Sequence, residues 1–235
     1  MAGLDPAIQA SMTKQKSDKV SVSDPSDRAA LEALALSPET KARLAIYAEL
    51  LLKWQKTINL VAASTLPRIW TRHFADSLQV QAAAPDALIW ADLGSGGGFP
   101  GLVTAIRLAG RSGAKVHLIE SDQRKCAFLR EVSRETQAPA EVHQGRIEAV
   151  LPTLLDRGIE AVSARALAPL PILLAYAAPL LDKGAIGLFL KGEHVADELT
   201  GSRGPDRFAD YDVAEIRSAT LDVARLLIVK HKPPL

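Results

Sequence analysis

Residues 88–101 read Leu-Ile-Trp-Ala-Asp-Leu-Gly-Ser-Gly-Gly-Gly-Phe-Pro-Gly. The first six residues are apolar apart from Asp92, and this pattern predicts a buried strand over 88–93. Five glycines follow within eight residues, and Pro100 suits the first turn of a helix. Glycine is needed where a backbone turns sharply or lies against a ligand. The stretch therefore predicts a strand, a ligand-binding loop and a helix in succession.

From residue 88 onward, strand patterns alternate with helix patterns. Further strands are predicted at 115–120, 141–144, 160–164, 184–191, 211–217 and 225–230. Helices are predicted at 121–136, 146–155 and 169–181, with a short polar one from about Glu193. Such alternation predicts an α/β fold with a mostly parallel, doubly wound sheet and helices on both faces. The last two strands are expected to pair antiparallel at one edge.

The residues before the first strand have a helical pattern. Ser37-Pro38-Glu39 predicts a helix start with Ser37 as the N-cap. One face of this helix is apolar at spacings of three and four residues: Leu44, Tyr47, Leu51 and Trp54. A second helix is expected after Thr65, with Ile69, Phe74 and Leu78 as its apolar side. We therefore predict a disordered tail over residues 1–25, a helical cap over 26–86 and a ligand-binding domain over 87–235.

Composition excludes several classes of protein. Hydrophobic residues make up 48% of the 235-residue chain, enough for a core. The single cysteine, Cys126, excludes a disulfide scaffold and a thiolate zinc cluster, and agrees with a reducing compartment. The most apolar stretch, 167–181, is interrupted by prolines and is shorter than the roughly 20 residues that span a bilayer. We expect a cytoplasmic protein, acting as a monomer, without a secretory signal or membrane segment.

The net charge of +1 hides a basic segment over residues 41–73. Its cations are Lys41, Arg43, Lys53, Lys56, Arg68 and Arg72, against the single acid Glu49. A solvated helix face explains such a segment as well as nucleic-acid binding does. Charge alone therefore permits an RNA partner without requiring one.

Charged residues follow each predicted parallel strand. Asp92 and Glu120 end the first two strands, and Arg146, Arg165 and Lys191 follow the next three. In open α/β sheets ligands bind at the carboxyl ends of the strands, so these side chains are expected to meet there. The spacing of Glu120 from the glycine loop suits a carboxylate that binds a ribose diol.

The glycine loop fits two cofactor patterns. Residues 96–101 match G-x-G-x-x-G, which is a weak dinucleotide signal on its own. Asp92-Leu-Gly-Ser-Gly96 is instead an acid-x-G-x-G pattern, the form found in S-adenosylmethionine (SAM) methyltransferases. A carboxylate before the loop repels a pyrophosphate but suits an ammonium and a sulfonium. SAM is therefore favoured, while an NAD(P)-dependent oxidoreductase and a purely structural turn remain alternatives.

Several further motifs occur in order over nearly the whole chain from residue 37 to residue 230. They are residues 53–56 and 59–60, 72–77, the full loop 94–101, 145–148, 163–166 and 190–192. In these motifs the chain resembles the bacterial 16S ribosomal RNA guanine-N7 methyltransferases, the rRNA small subunit methyltransferase G family, also known as glucose-inhibited division protein B. One departure is Ala164 before Arg165, where the family often has serine, so that any role of its hydroxyl is absent or falls to Ser163.

The resemblance implies a class I SAM-dependent methyltransferase that methylates N7 of guanine 527 in 16S rRNA. By this analogy the cofactor is contacted by Gly94, Phe99, Ile147, Glu148 and Arg165, and the residues themselves add Asp92, Gly96 and Glu120. Arg165 and Lys191 are the candidate catalytic residues. The candidate RNA-binding residues are Asn59, His73, Arg146, Lys191 and Arg225. The partner implied is 16S rRNA, within the small ribosomal subunit or an assembly intermediate.

Two features of the sequence bear on mechanism. Guanine N7 is a bare lone-pair acceptor, so in-line attack on a methyl group needs no general base. His117, His143, His194 and His231 lack a metal-ligand spacing along the chain, so no metal is predicted. A non-enzymatic RNA or ribosome-assembly factor with the same fold remains the third alternative.

Overall fold

The computed structural model describes residues 36–192, 210–218 and 224–232. The strands are β1 (Ile89–Leu93), β2 (Lys115–Glu120), β3 (Ala140–Gln144), β4 (Ala161–Arg165), β5 (Ile186–Lys191), β6 (Tyr211–Arg217) and β7 (Arg225–His231). They form one sheet in the order β3-β2-β1-β4-β5-β7-β6. The first five strands in this order are parallel, and β7 is antiparallel to both β5 and β6.

The described helices connect and cover these strands. They are α1 (Pro38–Trp54), α2 (Asp76–Ala82), α3 (Gly101–Leu108), α4 (Gln123–Thr136), α5 (Ile147–Val150) and α6 (Leu170–Leu181). Short 3₁₀ segments occur at Ala63–Arg68 and Leu151–Leu154, and a π-helical segment at Trp70–Ala75. None of these helices combines the length and the apolar character that a membrane crossing requires.

Helix α1 begins and packs as its sequence predicts. The Ser37 hydroxyl accepts a hydrogen bond from the Thr40 N–H at 3.2 Å, and Pro38 occupies the first helical position. Leu44, Tyr47 and Leu51 are fully buried on the predicted face. Trp54 at the end of this face donates its ring N–H to Glu131 on α4 at 2.9 Å.

The second predicted helix is more irregular than its pattern indicates. It is divided into the 3₁₀ segment, the π-helical segment and α2. Pro67 lies within the 3₁₀ segment, and since proline has no N–H it cannot continue an α-helical bond pattern. The apolar side nevertheless is as predicted, with Ile69, Phe74 and Leu78 all buried.

Two apolar clusters cover the two faces of the sheet, as the fold class requires. One cluster joins residues of α1, α3 and α4 to Trp90 and Leu118 of the sheet. The other joins α5 and α6 to Leu93 and Ile119. Because residues of α1 share a cluster with the sheet, the described part of the helical cap packs directly on the domain that follows it. The division at residue 86 stays a prediction, and residues 1–25 lie outside the described residues.

Element ends differ from their predicted positions by one or two residues in most cases. The predicted helix over 146–155 is instead α5 followed by a 3₁₀ segment, because Pro152 lacks the N–H that an α-helix needs. Pro100 is the N-cap residue of α3 rather than part of its first turn. The late strands pair as predicted, with β7 between β5 and β6. The helix predicted from Glu193 lies outside the described residues.

Candidate active site

A cavity of about 820 Å³ lies across the carboxyl ends of the parallel strands. This is where open α/β sheets bind ligands. The predicted site residues on its wall are His73, Gly94, Gly96, Phe99, Glu120, Arg146, Ile147, Glu148, Arg165 and Lys191. Four of the five charged residues at the strand ends, all except Asp92, thus share one cavity.

One side of the glycine loop packs closely against neighbouring residues, and the other side faces the cavity. A Cβ on Gly101 would lie 2.5 Å from Oδ2 of Asp92, so only glycine lets α3 approach β1 this closely. Gly96 has a φ of +56° and lines the cavity, and a Cβ there would meet no neighbouring atom nearer than 3.8 Å. The Tyr47 hydroxyl of α1 donates to the Gly97 carbonyl, which links the helical cap to the loop.

Asp92 lies beneath the loop rather than on the cavity wall, and its predicted contact with the cofactor stays a prediction. It is 1% exposed and is not part of the cavity wall. Oδ1 accepts a hydrogen bond from the Ser163 hydroxyl at 2.7 Å, across the β1–β4 pair. Burial raises the pKa of Asp92 to about 6, against the opposing effect of the Ser163 hydrogen bond. The Asp92 carboxylate therefore connects β1 to β4. The serine that bonds it is Ser163, and Ala164, where the family often has serine, is buried next to it.

Glu120 holds two backbone segments at the cavity wall. Its Oε2 accepts from the Gly96 N–H, and its Oε1 accepts from the Asp122 N–H, both at 2.8 Å. Asp122 in turn caps α4 by accepting from the N–H groups of Arg124 and Lys125. The residue chosen from its spacing thus orders both the glycine loop and the start of α4.

Arg165 is held over an aromatic ring by a histidine. Its Nη1 donates to Nδ1 of His73 at 2.7 Å and to the Arg72 carbonyl at 3.3 Å. The guanidinium carbon lies 4.8 Å from the centre of the Phe99 ring, which is a cation–π contact. Ala166, the next residue, has the left-handed φ of +51°, an uncommon conformation for a residue with a Cβ.

His73 is a neutral hydrogen-bond bridge. Burial lowers its pKa to about 3, with further lowering by the nearby cations Arg165 and Arg72. Because a guanidinium can only donate, Nδ1 must accept, and the ring proton must be on Nε2. Nε2 lies 2.8 Å from the Thr65 hydroxyl, which donates onward to the Ala62 carbonyl.

The other cations of the wall differ in burial. Lys191 is 8% exposed, and its ammonium donates to the Ala168 carbonyl at 2.8 Å. Arg146 is exposed at the start of α5. Beside it, Glu148 accepts a hydrogen bond from the Tyr176 hydroxyl at 2.9 Å. Ile147, between them in sequence, is buried.

Two predicted RNA-binding residues lie off this cavity. Asn59 lines a neighbouring depression together with residues 60–63. Arg225 on β7 forms an ion pair with Glu215 of β6, its Nε lying 2.8 Å from Oε1. An RNA contact at either position stays a prediction.

The cavity wall also contains residues that were not predicted as site residues from the sequence. Among them are Ser121, Lys125 and Tyr176. Ser121 directly follows β2, so the strand-end rule could have identified it. Tyr176 comes from the middle of α6, where nothing in the sequence distinguishes it from a core residue.

The parallel sheet, the glycine loop after β1 and the cavity at the strand ends define a class I methyltransferase fold. The O-methyltransferase TomG of Streptomyces achromogenes, solved in complex with SAM, superposes with a TM-score of 0.60. It is 17% identical, and the match covers 89% of this chain and 97% of that one. An O-methyltransferase of Bacillus cereus, solved in complex with SAH, gives 0.59 at 14% identity over 88% and 97%. At these identities the likeness establishes the fold alone.

Sequence similarity identifies the particular family. The GidB family, described as rRNA small subunit methyltransferase G, matches residues 40–220. A protein named ribosomal RNA small subunit methyltransferase G from Nitrobacter winogradskyi is 55% identical over 77% of this chain and 66% of its own length. One of the same name from a Bradyrhizobium species is 55% identical over 75% and 79%. The chain belongs to the rRNA small subunit methyltransferase G family.

Proposed function

We propose that this protein transfers a methyl group from SAM to N7 of a guanine in 16S rRNA, guanine 527 by the family resemblance. One observation carries the proposal. The glycine loop and Glu120 share a cavity with the partly buried cation Arg165 and the buried cation Lys191. The first pair suits the cofactor and the second suits a polyanion. The proposed setting is cytoplasmic, with a monomer acting on the small subunit or on an assembly intermediate.

The cofactor side of the cavity fits SAM in size and chemistry. The volume of the whole cavity, about 820 Å³, lies within the roughly 300–1,000 Å³ typical of ligand pockets. Gly96 leaves open space where a side chain would otherwise project. Each Glu120 oxygen accepts one backbone N–H, and a carboxylate has acceptor sites left for ribose hydroxyls. Gly94, Ile147 and Glu148 would complete this side. When bound, SAM supplies an electrophilic methyl group.

The protein residues have no proton to remove in this reaction. Guanine N7 has a free lone pair and no hydrogen. His73 is neutral, but Nδ1 accepts from Arg165 and Nε2 bonds Thr65, so its role is to orient Arg165. Positioning of the reactants can supply roughly 7–11 kcal/mol in the best intramolecular models. The guanine must be unstacked to enter the cavity, which favours a single-stranded or loop position in the RNA.

The cations are assigned to the RNA. SAM itself carries a sulfonium and needs no cations around it, so the row of cations is better suited to the phosphate groups of RNA. The contacts of Arg165 to His73 and Arg72 both use Nη1, and a guanidinium has five N–H donors in all. Arg165 is thus oriented by the protein to present a fixed fork of donors. Lys191 and Arg146 extend the positive wall for phosphate contacts, which position RNA without reading its sequence.

The test is methyl transfer from labelled SAM to small ribosomal subunits from cells that lack this protein, followed by nucleoside analysis. A single label recovered as 7-methylguanosine is the expected result. Label in another nucleoside, or none despite SAM binding, would move the acceptor elsewhere. Absence of both label and SAM binding would favour the oxidoreductase or the assembly factor.

A matched pair of lysine variants distinguishes the loss of a cation in the cavity from the loss of a cation on the general surface. Lys191→Met removes a cation from the cavity wall, whereas Lys183→Met removes an exposed one paired with Asp156 at 3.0 Å. We expect only the first to lower transfer to subunits. Equal activity of the two variants would contradict the assignment of Lys191.

A further inference from the structure

Two histidines and a glutamate meet at the edge of the sheet, away from the cavity wall. His117 lies on β2, and Glu141 and His143 lie on the edge strand β3. The parallel register pairs His117 with Glu141 and Ile119 with His143. Since alternate residues of a strand share a face, all three side chains project from the same side of the sheet. The two histidines are 26 residues apart in sequence, so spacing along the chain did not reveal them.

The three side chains bring their ligand atoms to one point. Nδ1 of His117 lies 2.9 Å from Nε2 of His143. Oε2 of Glu141 lies 4.0 Å from the former, and Oε1 lies 3.8 Å from the latter. With one ligand atom counted for each residue, the three atoms lie within 4.8 Å of one another, close to twice a zinc–nitrogen or zinc–oxygen bond of about 2.2 Å. A single ion can therefore reach all three residues with side-chain adjustments only.

We propose that His117, Glu141 and His143 bind a divalent transition-metal ion, with Zn²⁺ as its representative. Two imidazole nitrogens and one carboxylate oxygen form a ligand set that zinc uses in proteins. The two rings share one hydrogen bond, so its proton must leave the facing nitrogens when both bind the ion.

Two nearby cations should oppose metal binding, so that removing a cation and removing a ligand are expected to have opposite effects. Lys115 lies 3.2 Å from Oε2 of Glu141, and Arg157 is near enough to lower the pKa of both histidines. A metal ion must therefore compete with Lys115 for the Glu141 carboxylate. Removal of Lys115 should strengthen metal binding, whereas removal of a ligand should weaken it.

A metal ion at this site should stabilise the edge strand β3. Strand β3 is at the sheet edge and leads directly into residues 145–148, which line the cavity. An ion held by His117 of β2 and His143 of β3 would tie the edge strand to its neighbour. We expect slower hydrogen exchange of the β3 amides when the ion is bound.

The experiment is a titration of the full chain, freed of metal by a chelator and then of the chelator, with Co²⁺ and Zn²⁺. We expect one equivalent of Co²⁺ to produce visible absorption bands, and Zn²⁺ to abolish them by displacement. His143→Gln and Glu141→Gln change partly exposed ligands, which limits the risk of misfolding. Each should weaken binding by more than the roughly 10- to 100-fold loss seen for outer-shell partners of a metal.

Two further variants complete the design. His231→Gln removes another strand histidine, whose ring lies 3.7 Å from the Asp182 carboxylate, and should leave Co²⁺ binding unchanged. Lys115→Met should strengthen binding about two- to fivefold, the size of one exposed ion pair. No Co²⁺ bands in the wild type, or equal binding in wild type and His143→Gln with native circular dichroism, would overturn the proposal. The histidines would then form a hydrogen-bonded pair only.

Discussion

His73 and His117 are both buried histidines with strongly lowered pKa values, yet they belong to different kinds of network. His73 is 7% exposed and accepts a hydrogen bond from Arg165, a permanent cation. His117 is 2% exposed and faces His143, a second titratable ring. Burial keeps both rings neutral, but the partner decides the role. A cationic partner uses the ring as a fixed acceptor, whereas in the histidine pair one ring nitrogen donates a hydrogen bond to the other.

The largest expected effect comes from removing the cation of the first network. Arg165→Ala should lower methyl transfer about 100-fold or more, the loss typical of one preorganised donor in an active site. Initial rates at saturating SAM measure it, with SAM affinity determined separately. Arg165→Lys keeps the charge but not the planar fork of donors, so its rate should lie between those of the wild type and Arg165→Ala. An Arg165→Ala enzyme with unchanged turnover and unchanged SAM affinity would refute the role of Arg165.

Acid should destabilise the protein through both histidines. Each has a folded pKa below the usual 6.5, so between these values the unfolded state binds the proton and the native state does not. The free energy of unfolding should therefore fall with falling pH, by about 1.4 kcal/mol per unit for each ring. The His73 contribution should extend from about pH 6.5 to about 3, and that of His117 only to about 4.

Denaturant unfolding at several pH values, in wild type and in His73→Asn and His117→Asn, measures this dependence. Each variant should lose the contribution of its own ring, so that the difference from wild type changes with pH over that window. A difference that stays constant from pH 7 to pH 4 would mean that the ring is not held neutral in the native state.

A smaller effect is expected when His73 itself is changed. His73→Leu removes the acceptor for Arg165 and should lower kcat roughly tenfold, the scale of one charge-assisted hydrogen bond. His73→Asn retains a carbonyl oxygen near the Nδ1 position and should restore part of the loss. A general base would instead show equal losses in both variants and a changed pH profile. These kcat and pH measurements distinguish orientation of Arg165 from proton transfer.

The smallest effect is expected at the sheet edge without metal. Lys115 and Glu141 form an exposed ion pair at 3.2 Å, with side chains about half exposed. Lys115→Met should change the free energy of unfolding by less than about 1 kcal/mol in chelator-treated protein. A loss of several kcal/mol would show that the second network depends on this cation, which would remove the contrast with Arg165.

Sequence patterns predicted which residues meet at the sheet edge better than which of them line the cavity. The strand-end rule brought Glu120, Arg165 and Lys191 into one cavity because parallel strands end at the same edge. Asp92, at the same edge, is buried beneath the loop because its carboxylate bonds Ser163 of the neighbouring strand. No local pattern reports that pairing, since the two residues are 71 positions apart.

The helical cap illustrates the same limit. Spacing identified the buried face of α1, including Tyr47, because helix periodicity is a local property. It did not indicate that Tyr47 bonds the Gly97 carbonyl and stacks on Phe99, since these contacts connect residues about 50 positions apart. The bridging role of Thr65 between Ala62 and His73 depends on the 3₁₀ and π-helical segments in this part of the chain.

The sequence by itself determined the α/β class, the glycine loop and the identity of the charged residues at the strand ends. These follow from local periodicity and from the conformational freedom of glycine, and both can be recognised within a few residues of chain. Only the tertiary structure decided that Arg165 rests on His73 and Phe99, and that His117 meets His143. Both results depend on the register and packing of distant segments, because charge, protonation state and ligand geometry are set by neighbours in space.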